Sequence, residues 1–143
     1  MKNIQNSIID AGSLIALFNK DDRFHNKIID FLRDYEGYLY TTWPVVTEVM
    51  HMLKSNHQCQ INFLKFIERG GLEVLNISNK SISRIINLFE QYQDVPVDLA
   101  DATLIVLSEQ QNINNIITID SDFYIYRNKD NEYIRNIFEN RWR

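Results

Sequence analysis

The sequence is short of residues that staple, punctuate or anchor a chain. Its single cysteine, Cys59, excludes an internal disulfide and fits a reducing compartment. Cys59 is not accompanied by a plausible Cys/His ligand set, which argues against a zinc site. Two prolines and four glycines leave no stretch that reads as a flexible linker. No run approaches the roughly 18 apolar residues of a membrane span. The apolar run after Met1-Lys2 breaks at Asp10, too soon for a secretory signal. The expectation is a cytoplasmic protein without a membrane partner. Basic charge is also lacking. A net charge of −4 argues against a broad basic face that grips nucleic acid regardless of sequence. It leaves room for an enzyme on nucleic acid, because a cluster of acids makes a protein acidic and a bound metal reverses the sign locally. Nucleophile motifs are missing as well: there is no Gly-x-Ser-x-Gly, no activated cysteine and no glycine-rich phosphate loop.

What remains is one domain's length of chain, 143 residues, in which strand-like and helix-like patterns alternate. Residues 4–9 read as a buried strand and 11–19 as a short helix, with Asp10 at the hinge between them. Asn19-Lys20-Asp21-Asp22 reads as a solvated turn, and 24–35 as a helix with His25 at its exposed start. Tyr38 to Thr42 reads as a strand, and Trp43-Pro44 opens a helix, since proline suits a first helical turn. That helix carries Val45, Val46, Val49, Met50 and Leu53 on one stripe and Glu48 off it; His51 and His57 follow as surface residues. A helix over 58–69 stops at Gly70-Gly71, a strand occupies 72–77, and an amphipathic helix runs from Ser81 to Tyr92. Pro96 marks the start of a helix that is apolar on nearly all sides, with Asp98 as its cap and Asp101 three residues on. Residues 115–119 form a strand ending at Asp120, 121–127 a helical turn, and 133–138 an edge strand. The charged tail 139–143 is read as fraying, with Trp142 a partner contact. This alternation predicts a single α/β domain over residues 1–143: three layers, α/β/α, around a mostly parallel sheet of about five strands.

Four acids stand out by position. Asp10 and Asp120 each follow an apolar, β-branched strand, Glu48 lies about a turn into the helix after another strand, and Asp101 sits at the mouth of a buried helix. The bland readings are a dipole-complementing acid for Glu48 and a helix cap for Asp98; neither accounts well for Asp101, flanked by Ala100 and Ala102. In parallel sheets the carboxyl edge is the ligand-binding edge. Carboxylates gathered there cannot all stay ionised without a counter-charge. Oxygen ligands without His or Cys point to Mg²⁺ or Mn²⁺, and the chemistry natural to such a site is phosphodiester hydrolysis.

The segments Ile9-Asp10-Ala11-Gly12-Ser13-Leu14-Ile15-Ala16-Leu17-Phe18, Thr41-Thr42-Trp43-Pro44-Val45-Val46-Thr47-Glu48, Asp98-Leu99-Ala100-Asp101-Ala102-Thr103-Leu104 and Thr118-Ile119-Asp120-Ser121-Asp122-Phe123 resemble, in order and spacing, PIN-domain ribonucleases, in particular VapC-type toxins of toxin–antitoxin pairs. The resemblance implies an Mg²⁺-dependent (or Mn²⁺-dependent) endoribonuclease acting on RNA, held by a cognate antitoxin and often homodimeric. It makes Asp10 and Asp101 the principal metal ligands. Glu48 becomes a ligand or water-orienting group, Asp120 the completion of a second ion's shell, and Thr118 the hydroxyl that supports Asp10. Asp98 and Asp122 are further acids without an implied role. Arg127 is a phosphate contact or the partner of a surface acid. The alternative is a PIN-like module that is non-catalytic or works in RNA processing without a toxin role. A phosphoacceptor receiver domain is disfavoured, since the acidic pair and the lysine it needs are missing.

Overall fold

Strand β1 (Gln5–Ile9) is the middle of the sheet, and its side chains say why. Successive strand residues point to opposite faces, and the adjacent Ile8 and Ile9 are both fully buried, so helices cover the sheet on both sides. The computed structural model describes residues 4–95 and 97–138. After β1 come α1 (Ala11–Phe18), α2 (His25–Asp34), β2 (Gly37–Thr42), α3 (Trp43–Met52), α4 (His57–Glu68) and β3 (Glu73–Leu75). A 3₁₀ turn (Asn79–Ser81) leads into α5 (Ile82–Gln91), followed by α6 (Leu99–Gln111) and β4 (Asn115–Ile117). A second 3₁₀ turn (Ser121–Tyr124) and β5 (Arg135–Asn136) complete the described order.

All five strands are parallel, in the order β3-β2-β1-β4-β5. The chain moves outward in one direction from β1 to β3, then returns to the other side of β1 for β4. The crevice beyond the carboxyl ends of β1 and β4 is therefore the topological switch point, where open parallel sheets bind ligands. Helix α1 packs on α2, α3 and α4, and α6 packs on α3 and α5. The predicted five-stranded parallel α/β architecture is the one observed.

Local chemistry sets the boundaries. Pro44 sits in the first turn of α3, where its missing N–H leaves no bond unmade. Helix α4 ends in a Schellman pair: Gly70 at φ 84° donates to the Ile67 carbonyl at 3.0 Å, and Gly71 to Phe66 at 2.9 Å. At Gly37 a Cβ would lie 1.9 Å from the Gln5 carbonyl oxygen, so only glycine lets β2 enter the sheet beside β1.

Several boundaries differ from the sequence reading. The strand expected over 115–119 pairs only to Ile117, because Thr118 turns its N–H and C=O to the side chain of Asn136. The edge strand expected over 133–138 shrinks to Arg135–Asn136, since Tyr133 forms an antiparallel bridge with Arg127. The strand over 72–77 shortens to Glu73–Leu75, and the helical turn over 121–127 to Ser121–Tyr124. His25, expected at the surface, straps α2 to α1: its Nδ1 lies 2.8 Å from the Ala16 carbonyl. Pro96, and residues 139–143 with Trp142, lie outside the described residues.

Candidate functional site

The carboxyl ends of β1, β2 and β4 converge through a set of buried hydroxyls. Asp10 follows β1 directly and caps α1: its Oδ1 accepts from the Ser13 backbone N–H at 3.2 Å. The Ser13 hydroxyl donates to the Ile117 carbonyl at 3.1 Å, so the mouth of α1 is tied to the end of β4. The other Asp10 oxygen, Oδ2, accepts from the Thr118 hydroxyl at 2.5 Å. Thr118 therefore holds Asp10, as the family resemblance implied. Its oxygen also accepts from the Asp120 N–H at 2.9 Å, which sets the turn that carries Asp120. Asp120 in turn caps its 3₁₀ turn, accepting from Asp122 N–H at 2.9 Å.

A second tie positions Glu48 and Asp101. Thr42, the last residue of β2, meets Thr103 of α6 hydroxyl to hydroxyl at 2.7 Å, and Thr103 donates its own hydrogen to the Ala100 carbonyl at 2.7 Å. The start of α3 and the start of α6 are thereby fastened together. Asp98 caps α6, its Oδ1 accepting from the Asp101 N–H at 2.7 Å. Asp101 then lies in the first turn of a helix whose Ala102 to Ser108 are all buried.

Charge links the four acids, mainly through Asp120 and Asp98. Burial is the first cause that lifts the Asp10 carboxyl to about 6, and the neighbouring Asp120 adds to it against the bonds from Thr118 and Ser13. Asp101 rises further, to about 8, through burial and then the charges of Asp98, Asp10 and Asp120. Glu48 is raised by burial and by Asp98 and Asp120. Asp120 is raised by burial, opposed by the Asp122 backbone N–H, and raised again by Asp122 and Asp98. Asp98, left without an implied role, thus faces Glu48, Asp101 and Asp120 together. The fully buried Tyr126 lies beneath the same group. Its phenol is pushed above the ordinary range by burial and by Asp101, Asp122, Asp120 and Asp98.

Among the described residues, ion pairs join Arg33 to Asp30 and Arg84 to Glu109, and none reaches these acids. Arg127 is in no ion pair among the described residues: its guanidinium lies over the Tyr133 ring, 4.1 Å from the centroid, and bonds the Tyr133 hydroxyl. The mouth therefore gathers hard oxygen donors and no cation of its own, the donor chemistry of Mg²⁺ or Mn²⁺. Among the described residues, no three His, Cys, Asp or Glu side chains are grouped so that they could hold a metal ion between them. The acids feel one another's charge without closing on a common point, so these side chains alone do not complete an ion's shell. Mg²⁺ suits such a mouth, since it takes one or two carboxylates and keeps several waters.

Asn136 went unnoticed in the sequence. Its side-chain amide donates to the Thr118 carbonyl at 3.0 Å and accepts from the Thr118 N–H at 3.3 Å and the Phe138 N–H at 3.0 Å. A buried asparagine inside an apolar edge segment, Ile134 to Phe138, was the available signal.

Beside the acids runs a groove of about 730 Å³ between α3 and the start of α6. Trp43, Pro44, Leu99 and Ala100 line it, with Thr47, Glu48, His51 and Asp98 as its polar members.

A parallel sheet with an acid-lined switch-point crevice defines an α/β protein with a candidate site at the carboxyl edge of its sheet. The comparisons narrow that class. The family model for the PIN domain matches residues 7–129, and the chain belongs to the PIN-domain family. It is similar to Ribonuclease VapC26 of Mycobacterium tuberculosis, at 24% identity over 115 residues, covering 79% of this chain and 85% of that protein. Among solved structures it resembles M. tuberculosis VapC20, described as a sarcin–ricin loop cleaving toxin, with a TM-score of 0.76 and 16% identity, covering 82% of this chain and 92% of that one. A toxin–antitoxin complex from Klebsiella pneumoniae gives a TM-score of 0.61 at 22% identity, over 82% of this chain and 89% of that one. VapBC2 from Rickettsia felis, bound to a promoter DNA fragment, gives 0.62 at 14% identity, over 92% and 98%.

Proposed function

We propose that the chain is a divalent-metal-dependent endoribonuclease, the toxin of a toxin–antitoxin pair. The observation that carries this reading is that the charge of Asp120 bears on Asp10, Glu48 and Asp101 alike at the β1–β4 crevice, with no ion pair among the described residues to relieve it. PIN-family membership and the names of the relatives support it. Asp10 and Asp101 would hold the ion, Glu48 would bind it or orient the attacking water, and Asp120 would complete the shell of a second ion. When bound, Mg²⁺ or Mn²⁺ supplies the charge that neutralises the acids and polarises the scissile phosphodiester.

The chain's own residues do the positioning. Thr118 fixes one Asp10 oxygen and Ser13 the other, so this carboxylate is set before any ligand arrives. Burial and the charges of Asp98 and Asp120 raise the Glu48 carboxyl, the direction that makes it a better proton acceptor than a free carboxylate. The partners follow from the same reading: an RNA substrate and a cognate antitoxin, in the cytoplasm. Among the described residues no helix is long and apolar enough to cross a membrane. The homodimer is supported by Ile82, Ile86 and Phe89, which share one exposed face of α5 at 50%, 50% and 42% exposure.

The test is cleavage of RNA by the purified protein with and without Mg²⁺, alongside calorimetry with Mn²⁺. Cleavage that needs the metal, and is lost in Asp10→Asn and Asp101→Asn while the fold is kept, is the expected result. No Mn²⁺ binding in the millimolar range would leave the non-catalytic module instead. Undiminished cleavage in either variant would remove the acids from the reaction.

A further inference from the structure

Trp43 is half exposed although it opens a helix whose Val45, Val46 and Val49 are buried. Its indole is not spent on the core. It lines the 730 Å³ groove with Pro44, Leu99 and Ala100, and Leu99 is itself 52% exposed. A tryptophan and a leucine left open at one site form an adhesive surface without a covering partner.

The groove's place decides what covers it. Glu48, one of the four site acids, lines it together with Asp98, whose carboxylate accepts from the Asp101 N–H at 2.7 Å, so groove and acid site share a wall. On the nuclease reading, a phosphodiester sits at the acids. The nucleotide next to it must then place its base within one backbone step. Besides Thr47 and His51, the groove's polar members are the acids Glu48 and Asp98, so the backbone phosphates are repelled from it, while the uncharged face of a base is not. Its size falls in the range of small-ligand sites, about 300–1,000 Å³. Single-stranded RNA is commonly held by stacking unpaired bases on aromatic side chains, with little dependence on which base it is.

We infer that Trp43 is a stacking platform for the nucleobase flanking the scissile phosphate, with Leu99 lining the other side of the same subsite. The inference rests on the nuclease reading for the position of the phosphate. It makes Trp43 a positioning residue, and it assigns to this groove an unpaired stretch of substrate.

Trp43 and Trp142 are the two tryptophans of the chain, so Trp142→Phe leaves Trp43 as the sole indole reporter. A ten-nucleotide 2′-O-methyl RNA of mixed sequence, titrated with Mg²⁺ present, should quench that emission saturably. Trp43→Ala in the same background, followed by fluorescence anisotropy of a labelled oligonucleotide, should weaken binding about tenfold, the scale of one stacked base. Trp43→Phe should restore most of it. A matched abasic oligonucleotide should bind both forms equally. Unchanged emission, or equal affinity of the wild type for abasic and base-bearing oligonucleotides, overturns the subsite. So does a loss of dimer mass in Trp43→Ala with emission indifferent to oligonucleotide, which would give the groove to a second copy of the chain. Wild-type RNA cleavage is scored separately. Quenching without cleavage retains the subsite and defeats the nuclease; cleavage without quenching does the reverse.

Discussion

Helices α1 and α6 begin with the same device and use it to opposite ends. In each, an aspartate caps the helix and accepts from the backbone N–H three residues later: Asp10 from Ser13 and Asp98 from Asp101. At α1 the cap itself is the buried site acid, and both its oxygens have donors. At α6 the cap is exposed and the site acid is the residue that receives the cap. The side-chain hydrogen bond acting on Asp101 is with another acid, Asp98, and needs a proton between them. The outcome reverses the usual expectation from burial. Asp10 is the more buried acid, yet Asp101 holds its proton more tightly, about 8 against about 6. Donors decide the order: Asp10 is compensated by hydroxyl and amide, while Asp101 has like charges around it. Asp10 is prepared before any ligand arrives, and Asp101 awaits a cation.

The sharpest break of this contrast is Asp101→Asn. On the proposed reading it removes several kcal/mol of transition-state stabilisation, about a thousandfold in cleavage rate. The same change should raise the melting temperature of the metal-free protein at pH 8 by roughly 3–6 °C, because an uncompensated charge is gone. A lower melting temperature would mean that Asp101 is already satisfied. Thr118→Val attacks the other side. It strips a donor from buried Asp10 and an acceptor from the Asp120 N–H, which costs about 1–3 kcal/mol in stability. With its donor lost, Asp10 should bind its proton more tightly, and the acidic limb of the cleavage profile should move to higher pH. Thr118→Ser should restore both.

The pH dependence of stability comes next in size. Asp10, Glu48, Asp101 and Asp120 all have raised carboxyls, so the folded state binds more protons than the unfolded one from about pH 4 to about pH 8. Their contribution is full below the ordinary carboxylate range and is lost as pH rises through the folded values. Thermal melts in chelator should therefore fall from pH 5 to pH 8, and saturating Mg²⁺ should flatten the slope. A melting temperature independent of pH in chelator would deny the coupling. The smallest effect belongs to Asp98→Asn, which keeps a capping oxygen and removes one charge. Cleavage should stay within about threefold of wild type, with Asp101 titrating lower by NMR, whereas Asp98→Ala should lose about 1 kcal/mol of stability.

Much of this was legible along the chain. An apolar β-branched run that halts at an acid marks a parallel strand's carboxyl end, and Ile8-Ile9-Asp10 and Ile116-Ile117 before Asp120 both read that way. Helix α6 was legible from its unbroken apolar run, and Asp101 as an acid that run could not explain. What the sequence hid were bonds between remote residues. Thr42 and Thr103 are 61 positions apart, and nothing local in either announces their contact. Asn136 was hidden for the same reason, since a side chain that completes another strand's ladder carries no periodic mark. The strand ends at Thr118 and Tyr133 were misjudged because side chains and a bridge there displace regular pairing.

Asn136 has a reach its position at the rim of the sheet conceals. It grips Thr118 by both main-chain groups, and Thr118 grips Asp10, so the outermost strand is linked through two residues to the innermost acid. A molecule that peeled this strand aside would slacken Thr118 and, through it, retune an aspartate it never met. The sheet's margin would then serve as a remote control for its centre.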